Sequence, residues 1–158
     1  MIARLSKLVA LFCSSGFSVG LILTSVVIVE SWASMEPTAA IDWFAEFGLP
    51  LGFVMVPFGA LAVVFSAVAL LSNLPSLRKT GVDWYWLAAF ILTACTMLSL
   101  PLYFWDANTL FFDGAILPAD VPAEVQRWKF WNWMRTILSV LASFVILLAL
   151  LREARSSV

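Results

Sequence analysis

Apolar positions along this chain gather into four long blocks, at about 8–29, 49–72, 84–105 and 130–151. Each is long enough to cross a bilayer as a helix, which takes roughly 20 mostly apolar residues. Polar and turn-forming residues separate the blocks. Asp120 offers an N-cap and Pro122 suits a first helical turn, so the last helix is expected to begin ahead of its apolar run and to cover about 121–151. The pattern predicts an all-α polytopic membrane protein, an antiparallel bundle of four transmembrane helices, with residues 1–158 forming a single transmembrane domain.

Composition agrees. The 158 residues are 63% hydrophobic and 12% charged, against roughly 25% charged in ordinary soluble domains. A formal net charge of −1 and the lack of a basic stripe argue against nucleic acid as a partner. The bilayer is the expected one. The basic opening MIARLSK resembles a secretory n-region, but the apolar stretch behind it is about 22 residues. Signal cores run to roughly 7–15, so an uncleaved first helix is expected.

Charge also suggests orientation. Arg4 and Lys7 precede the first block, Arg78 and Lys79 separate the second from the third, and Arg152 and Arg155 follow the fourth. The other two connections, near 30–48 and 106–129, hold Glu30, Glu36, Asp42, Glu46, Asp106, Asp113, Asp120 and Glu124 against Arg127 and Lys129 alone. Lysine and arginine in short loops mark the cytoplasmic side. Both termini are therefore expected inside, in a cytoplasmic (bacterial inner) membrane, with the two longer connections outside. Trp84 and Trp86 would mark the inner interface; Trp32, Trp43, Trp105, Trp128, Trp131 and Trp133 would form an outer belt.

Small residues suggest packing faces. Cys13, Gly16, Gly20 and Thr24 share one face of the first helix, and Gly52, Gly59 and Ser66 recur every seven residues in the second. The first face suits either intrachain packing or a homodimer. Pro50 is placed at an opening turn, Pro57 is expected to kink the second helix, and Pro101 to bend the third. Thr96, Ser99, Tyr103 and Asp106 form a mildly polar stripe that either lines a cavity or bonds to its own backbone. Cys13 and Cys95 fall at different depths, and no disulfide is expected.

Arg135 is the anomaly. Trp128, Asn132, Arg135 and Ser139 are spaced four, three and four, so they share a face, with Trp131 at its edge and Trp133 turned towards lipid. Arg135 stands 17 residues before Arg152, about 25 Å along a helix, which leaves it roughly 5 Å inside a 30 Å hydrocarbon layer. One reading is an interfacial anchor that snorkels. The other is a cluster in which Arg135 forks onto a carboxylate, Asp106 first and Glu30 second, beside Asn108 and Asn132 and walled by Trp128, Trp131 and Tyr103. Such a cluster, open to the outer leaflet, suits a flat aromatic or quinone-like molecule. The chain has no histidine, which removes imidazole-ligated haem and the usual copper, zinc or iron sites. No cofactor is expected, and a general base would have to be Glu30 or Asp106.

Trp128-x-x-x-Asn132-x-x-Arg135-Thr136 before an Ala/Leu-rich helix resembles the last helix of the anthrone oxygenase-like membrane family. Tyr103-Phe104 with Asn108 resembles that family's aromatic-x-Asn element, and Glu30-Ser31-Trp32 stands where members often place polar residues. Fungal members oxidise anthrones with molecular oxygen, without metal or flavin; bacterial members are mostly of unknown function. The resemblance implies a carboxylate that removes an activated C–H proton while Arg135 stabilises the enolate. The histidine usually discussed for the fungal enzymes has no counterpart here. Two function classes follow: an enzyme or binder of aromatic or quinone-like molecules with catalytic Arg135, Asp106 and Glu30, or a non-catalytic subunit or assembly factor of a membrane complex. No helix carries the row of charges that ion pathways need.

Overall fold

A computed structural model describes residues 2–73 and 83–156. Helix α1 (Ile2–Leu23) passes through a π turn at Thr24–Ile28 into α2 (Val29–Ala33). After the break at 34–36, α3 runs without interruption over Pro37–Asn73. Helix α4 (Asp83–Ser99) passes through a second π turn, Leu100–Phe104, into α5 (Trp105–Phe112), and α6 spans Val121–Ser156. The described residues are all-helical or in turns, and four stretches are long and apolar enough to cross a membrane: Arg4–Ala33, Pro37–Asn73, Trp84–Phe112 and Val121–Arg155. That is the make-up of a multi-pass integral membrane protein. Arg78 and Lys79, part of the charge argument, lie outside the described residues.

The helices run well past the ends expected from hydropathy. The connection expected over 30–48 is mostly helix, because a helix need not stop where hydrophobicity does. Pro50 is consequently an interior residue of α3, as is Pro57. Pro101 sits in the π turn at Leu100–Phe104; a proline without an N–H fits where the regular bonding pattern is already broken. The second connection shrinks to 113–120. Gly114 opens it with φ 60°, and the amides of Gly114 and Ala115 donate to the carbonyls of Phe111 (3.2 Å) and Leu110 (2.9 Å). This is a Schellman closure, which needs a left-handed residue just past the helix end. Helix α6 begins at Val121 with Pro122 in its first turn, as expected. The Asp120 carbonyl accepts the first bond from Glu124 N at 3.1 Å, while its carboxylate makes no capping bond.

Helix α1 packs against α3 and α6, and α4 packs against the same two. The α1–α3 contact uses the glycines. A Cβ on Gly16 would touch the Phe58 ring at 3.0 Å, and one on Gly20 would collide with Met55. This face is therefore used within the chain. The α1–α6 contact is different: it is a seam of hydroxyls. Ser14 and Ser143 lie 2.8 Å apart, Ser18 and Ser139 2.7 Å, and Ser25 and Thr136 3.2 Å. In lipid, where apolar side chains gain little by leaving their surroundings, small residues and interhelical hydrogen bonds are what hold helices together.

Each end of the molecule has its own closure. At the end carrying the chain termini, Lys7 is buried and donates to Glu153 at 2.7 Å and to Asn73 at 3.1 Å, while Trp86 Nε1 donates to the same Glu153 oxygen at 2.9 Å. At the end carrying the two longer connections, an aromatic core forms around Trp32. Phe44 stacks on it at 5.0 Å, and Phe111 and Trp128 meet it edge-on at 4.8 and 5.8 Å. Trp32 Nε1 donates to the Ala40 carbonyl at 2.9 Å and so ties α2 to α3 across the break. The belt expected from the sequence is thus divided. Trp86 at 0% exposure, Trp32 at 2% and Trp128 at 6% are core residues, whereas Trp84, Trp105 and Trp133 remain on the surface. Belt and core ask the same of a tryptophan, an apolar body and one partner for its N–H, so composition cannot separate them. Cys13 is buried, Cys95 is exposed, and both are free.

Gly20→Leu is expected to lower the thermal unfolding midpoint in detergent by overpacking against α3, at a cost of about 1–3 kcal/mol. Gly52→Ala is expected to leave it unchanged, since a Cβ there meets nothing within 4 Å. Equal midpoints for Gly20→Leu and the unaltered protein would contradict the α1–α3 contact.

Candidate functional site

Helical periodicity brings Trp128, Asn132 and Arg135 to the inner face of α6, and the neighbouring helices complete the surroundings. Asn132 is completely buried. Its amide nitrogen donates to Ser25 Oγ at 2.6 Å, and its amide oxygen accepts from Arg135 Nε at 2.8 Å. Thr136, one turn on, donates to the Asn132 carbonyl at 2.7 Å. Asn132 therefore couples the π turn of the first span to the arginine. The guanidinium sits over the Phe104 ring, with its central carbon 3.8 Å from the ring centroid, and 5.4 Å from that of Trp128. Two electron-rich ring faces thus partly offset the charge, worth about 2 kcal/mol or more where water is excluded.

The carboxylate pairing expected for Arg135 does not form. Glu30 pairs with Lys129, and Asp106 is exposed at the start of α5. Among the described residues no carboxylate lies within 4.0 Å of Arg135. The reason is rotation: Asp106 is turned outwards while Phe104, at the end of the π turn, and Asn108 of α5 face inwards, and Glu30 is taken by Lys129, the residue after Trp128 on α6. The terminal nitrogens of Arg135, four N–H donors, have no acceptor among the described residues.

They face a cavity instead. It measures about 70 Å³ and is bordered by Arg135, Thr24, Thr96, Ser99, Leu100 and Asn108, with Gly48, Gly52 and Met55 on the α3 side. Both π turns contribute to it, Thr24 from the first and Leu100 from the second, which fits the tendency of such turns to occur at functional places. Thr96 and Ser99 line it while their hydroxyls donate to the carbonyls of Leu92 (2.8 Å) and Thr96 (2.6 Å); both readings of that stripe hold at once. Tyr103 and Asp106 are not on the cavity wall.

A larger groove of about 460 Å³ adjoins this cavity along the surface of α3, the second π turn and α5. Gly48, Gly52, Val56, Leu100 and Asn108 belong to both. The groove is apolar, with Leu49, Phe53, Pro57, Phe112 and the exposed Trp105 along it. Asn108 stands at the junction, where its Oδ1 accepts from Trp128 Nε1 at 2.9 Å. Gly52 stands there too, leaving the passage open.

The remaining sequence-derived candidates form a separate group above the aromatic core. Tyr103 donates to Glu124 Oε1 at 2.7 Å and stacks on Trp131 at 5.3 Å, and Arg127 closes the group on Glu124 Oε2 at 2.8 Å. Trp131 and Tyr103 are thus not brought to Arg135, whereas Trp128, Asn132 and Asn108 are. Thr24 and Gly52 stood out in the sequence only as packing residues and Phe104 only beside Tyr103, while Ser25 and Gly48 were missed. Comparison with protein-family models, curated proteins and solved structures finds no match.

Asn132→Leu is expected to destabilise the protein by about 1–3 kcal/mol, because Ser25 and the Arg135 Nε–H each lose a buried partner. Ser139→Ala, which removes one hydroxyl pair from the seam, should cost about 1 kcal/mol. Denaturant titration of both variants measures the difference; a harmless Asn132→Leu would contradict the coupling role.

Proposed function

We propose that this chain is a multi-pass membrane protein of the anthrone oxygenase-like type that binds an apolar small molecule, aromatic or quinone-like in the family reading. The molecule lies in the α3–α5 groove with an electron-rich oxygen on Arg135. The observation that carries the proposal is the guanidinium with unpartnered terminal N–H groups at the inner end of an apolar groove. A partly buried charge without a counter-ion carries a desolvation cost, and an oxygen acceptor from a ligand offsets that cost. Ligand sites are typically concave, mostly apolar and furnished with a few placed polar groups, as here.

Binding is favoured over oxidation. No carboxylate among the described residues lines the cavity or the groove, so neither Glu30 nor Asp106 stands where a base for C–H abstraction is needed. The supporting orientation is antiparallel, with both termini cytoplasmic. Lys7, Arg152 and Arg155 lie at the terminal end, and the acidic connections at the other. Arg135 then sits at the depth of the outer leaflet.

Two experiments test this reading. A bound ligand stabilises the folded state by about 2.7 kcal/mol at a hundredfold excess over its Kd. Purified protein is therefore expected to unfold several degrees higher with a quinone, phenol or acid amphiphile, and Arg135→Leu to lose that rise. No rise with any amphiphile class would remove the binding reading. For orientation, single cysteines at Glu36 and Arg155, in a chain with Cys13 and Cys95 replaced by alanine, are expected to be labelled from outside and inside respectively. Labelling of Glu36→Cys from the cytoplasmic side would reverse the topology.

A further inference from the structure

The groove and the cavity differ in character, and their arrangement bears on what enters. The groove follows one side of α3 from Leu49 to Pro57, about 12 Å at the rise of a helix. Its long axis therefore parallels the helix, the direction in which acyl chains of a surrounding lipid lie. Its apolar lining faces outward from the helices, and Trp105 at 67% exposure stands at its edge. The polar cavity lies inward from the groove, bordering the same stretch of α3 from Gly48 to Val56, and is reached past Gly52. A Cβ added at Gly52 would meet nothing within 4 Å, so no side chain bars the way.

We infer that the occupant is a single-chain amphiphile with a carboxylate head, a long-chain fatty acid or a close analogue, taken sideways from the bilayer with its head leading. This deepens the binding reading above and rests on it. Three features select that chemistry. First, Arg135 has no carboxylate of the chain within 4.0 Å among the described residues, so an anionic head gains a charge-assisted partner that a neutral carbonyl does not. Secondly, its Nε is engaged by Asn132 Oδ1 at 2.8 Å, and this fixes the plane of the guanidinium against Phe104. The terminal N–H groups are left to form a planar fork, the geometry that a carboxylate accepts with both oxygens. Thirdly, the cavity at Arg135 is only about 70 Å³, which suits a compact head and excludes a phosphodiester with its glycerol. The groove, at about 460 Å³, takes the chain.

Asn132 is a positioning residue in this scheme. It touches Arg135 and not the ligand, and Ser25 in turn holds it. No covalent step is involved; the site captures, holds and releases.

The test uses the full chain in phosphatidylcholine nanodiscs, with 9,10-dibromostearate as the probe and quenching of tryptophan fluorescence as the signal, since Trp105 borders the groove. Competitors are stearate, stearyl alcohol and decylubiquinone. Stearate is expected to displace the probe at a mole fraction about tenfold or more below that of the alcohol, as a charge-assisted fork implies. Arg135→Gln is expected to erase that preference. Gly52→Leu, whose Cβ meets nothing within 4 Å and whose longer side chain narrows the junction, is expected to abolish specific quenching, with the thermal midpoint measured alongside to show that the fold is kept. If alcohol and acid compete equally, or decylubiquinone displaces the probe better than stearate, while Gly52→Leu still blocks, the carboxylate assignment is overturned and the binding site stands. If no competitor displaces the probe and Gly52→Leu changes nothing, both the assignment and the binding reading fall.

Discussion

A permanent positive charge placed within an apolar helix must be held by something, and the way Arg135 is held organises this molecule. Arginine does not shed its proton to relieve burial as a carboxylate or lysine can. The chain supplies two ring faces and one amide oxygen in place of a counter-ion. Phe104 takes its position from the π turn of the third span. Asn132 is oriented by Ser25 in the π turn of the first. Both departures from regular helix are therefore found at one level, around one side chain. Pairing with a carboxylate would have closed the cavity. Keeping the carboxylates elsewhere leaves the terminal N–H groups facing it.

Charge management at the two ends follows the same logic. Lys7 and Glu153 join the first and last spans near the chain termini, reinforced by Asn73 and Trp86. Lys129 with Glu30 does so at the other end, where Arg127 and Glu124 pair within α6. Exposed ion pairs contribute little, but partly buried pairs flanked by hydrogen-bonding groups fix which helix stands beside which. Between the two ends the α1–α6 seam uses mainly hydroxyls, whose partners can be a neighbouring helix or their own preceding turn. Ser18 does both, donating or accepting across to Ser139 and Ser143 while bonding to the Ser14 carbonyl at 2.8 Å.

Helix α3 divides its small residues between packing and access. Gly59 faces Met97 and Phe17, and Gly48 faces Phe44 and Phe112, so both serve close contact. Gly52 faces open space at the junction of groove and cavity. A sequence repeat of small residues is thus not one feature here. Some members admit another helix, and one borders open space.

Much of the architecture was legible in the sequence, because hydropathy and helical period are local properties. Four spans, the start of α6 at Val121 and the shared face of Trp128, Asn132, Arg135 and Ser139 all follow from residues within a few turns of one another. Helix ends did not follow, since α3 continues through polar residues from Pro37 onwards, held there by Trp32 and its bond to Ala40. The partner of Arg135 did not follow either. Asp106, Glu30 and Arg135 sit at similar heights, and sequence spacing gives height along a helix but not the rotation of that helix against its neighbours. That rotation sends Asp106 to the surface, gives Glu30 to Lys129, sets Phe104 under the guanidinium and brings Ser25 to Asn132 across 107 positions of chain. What a helix buries can be read from its own sequence; what it buries it against is decided only when the helices are packed together.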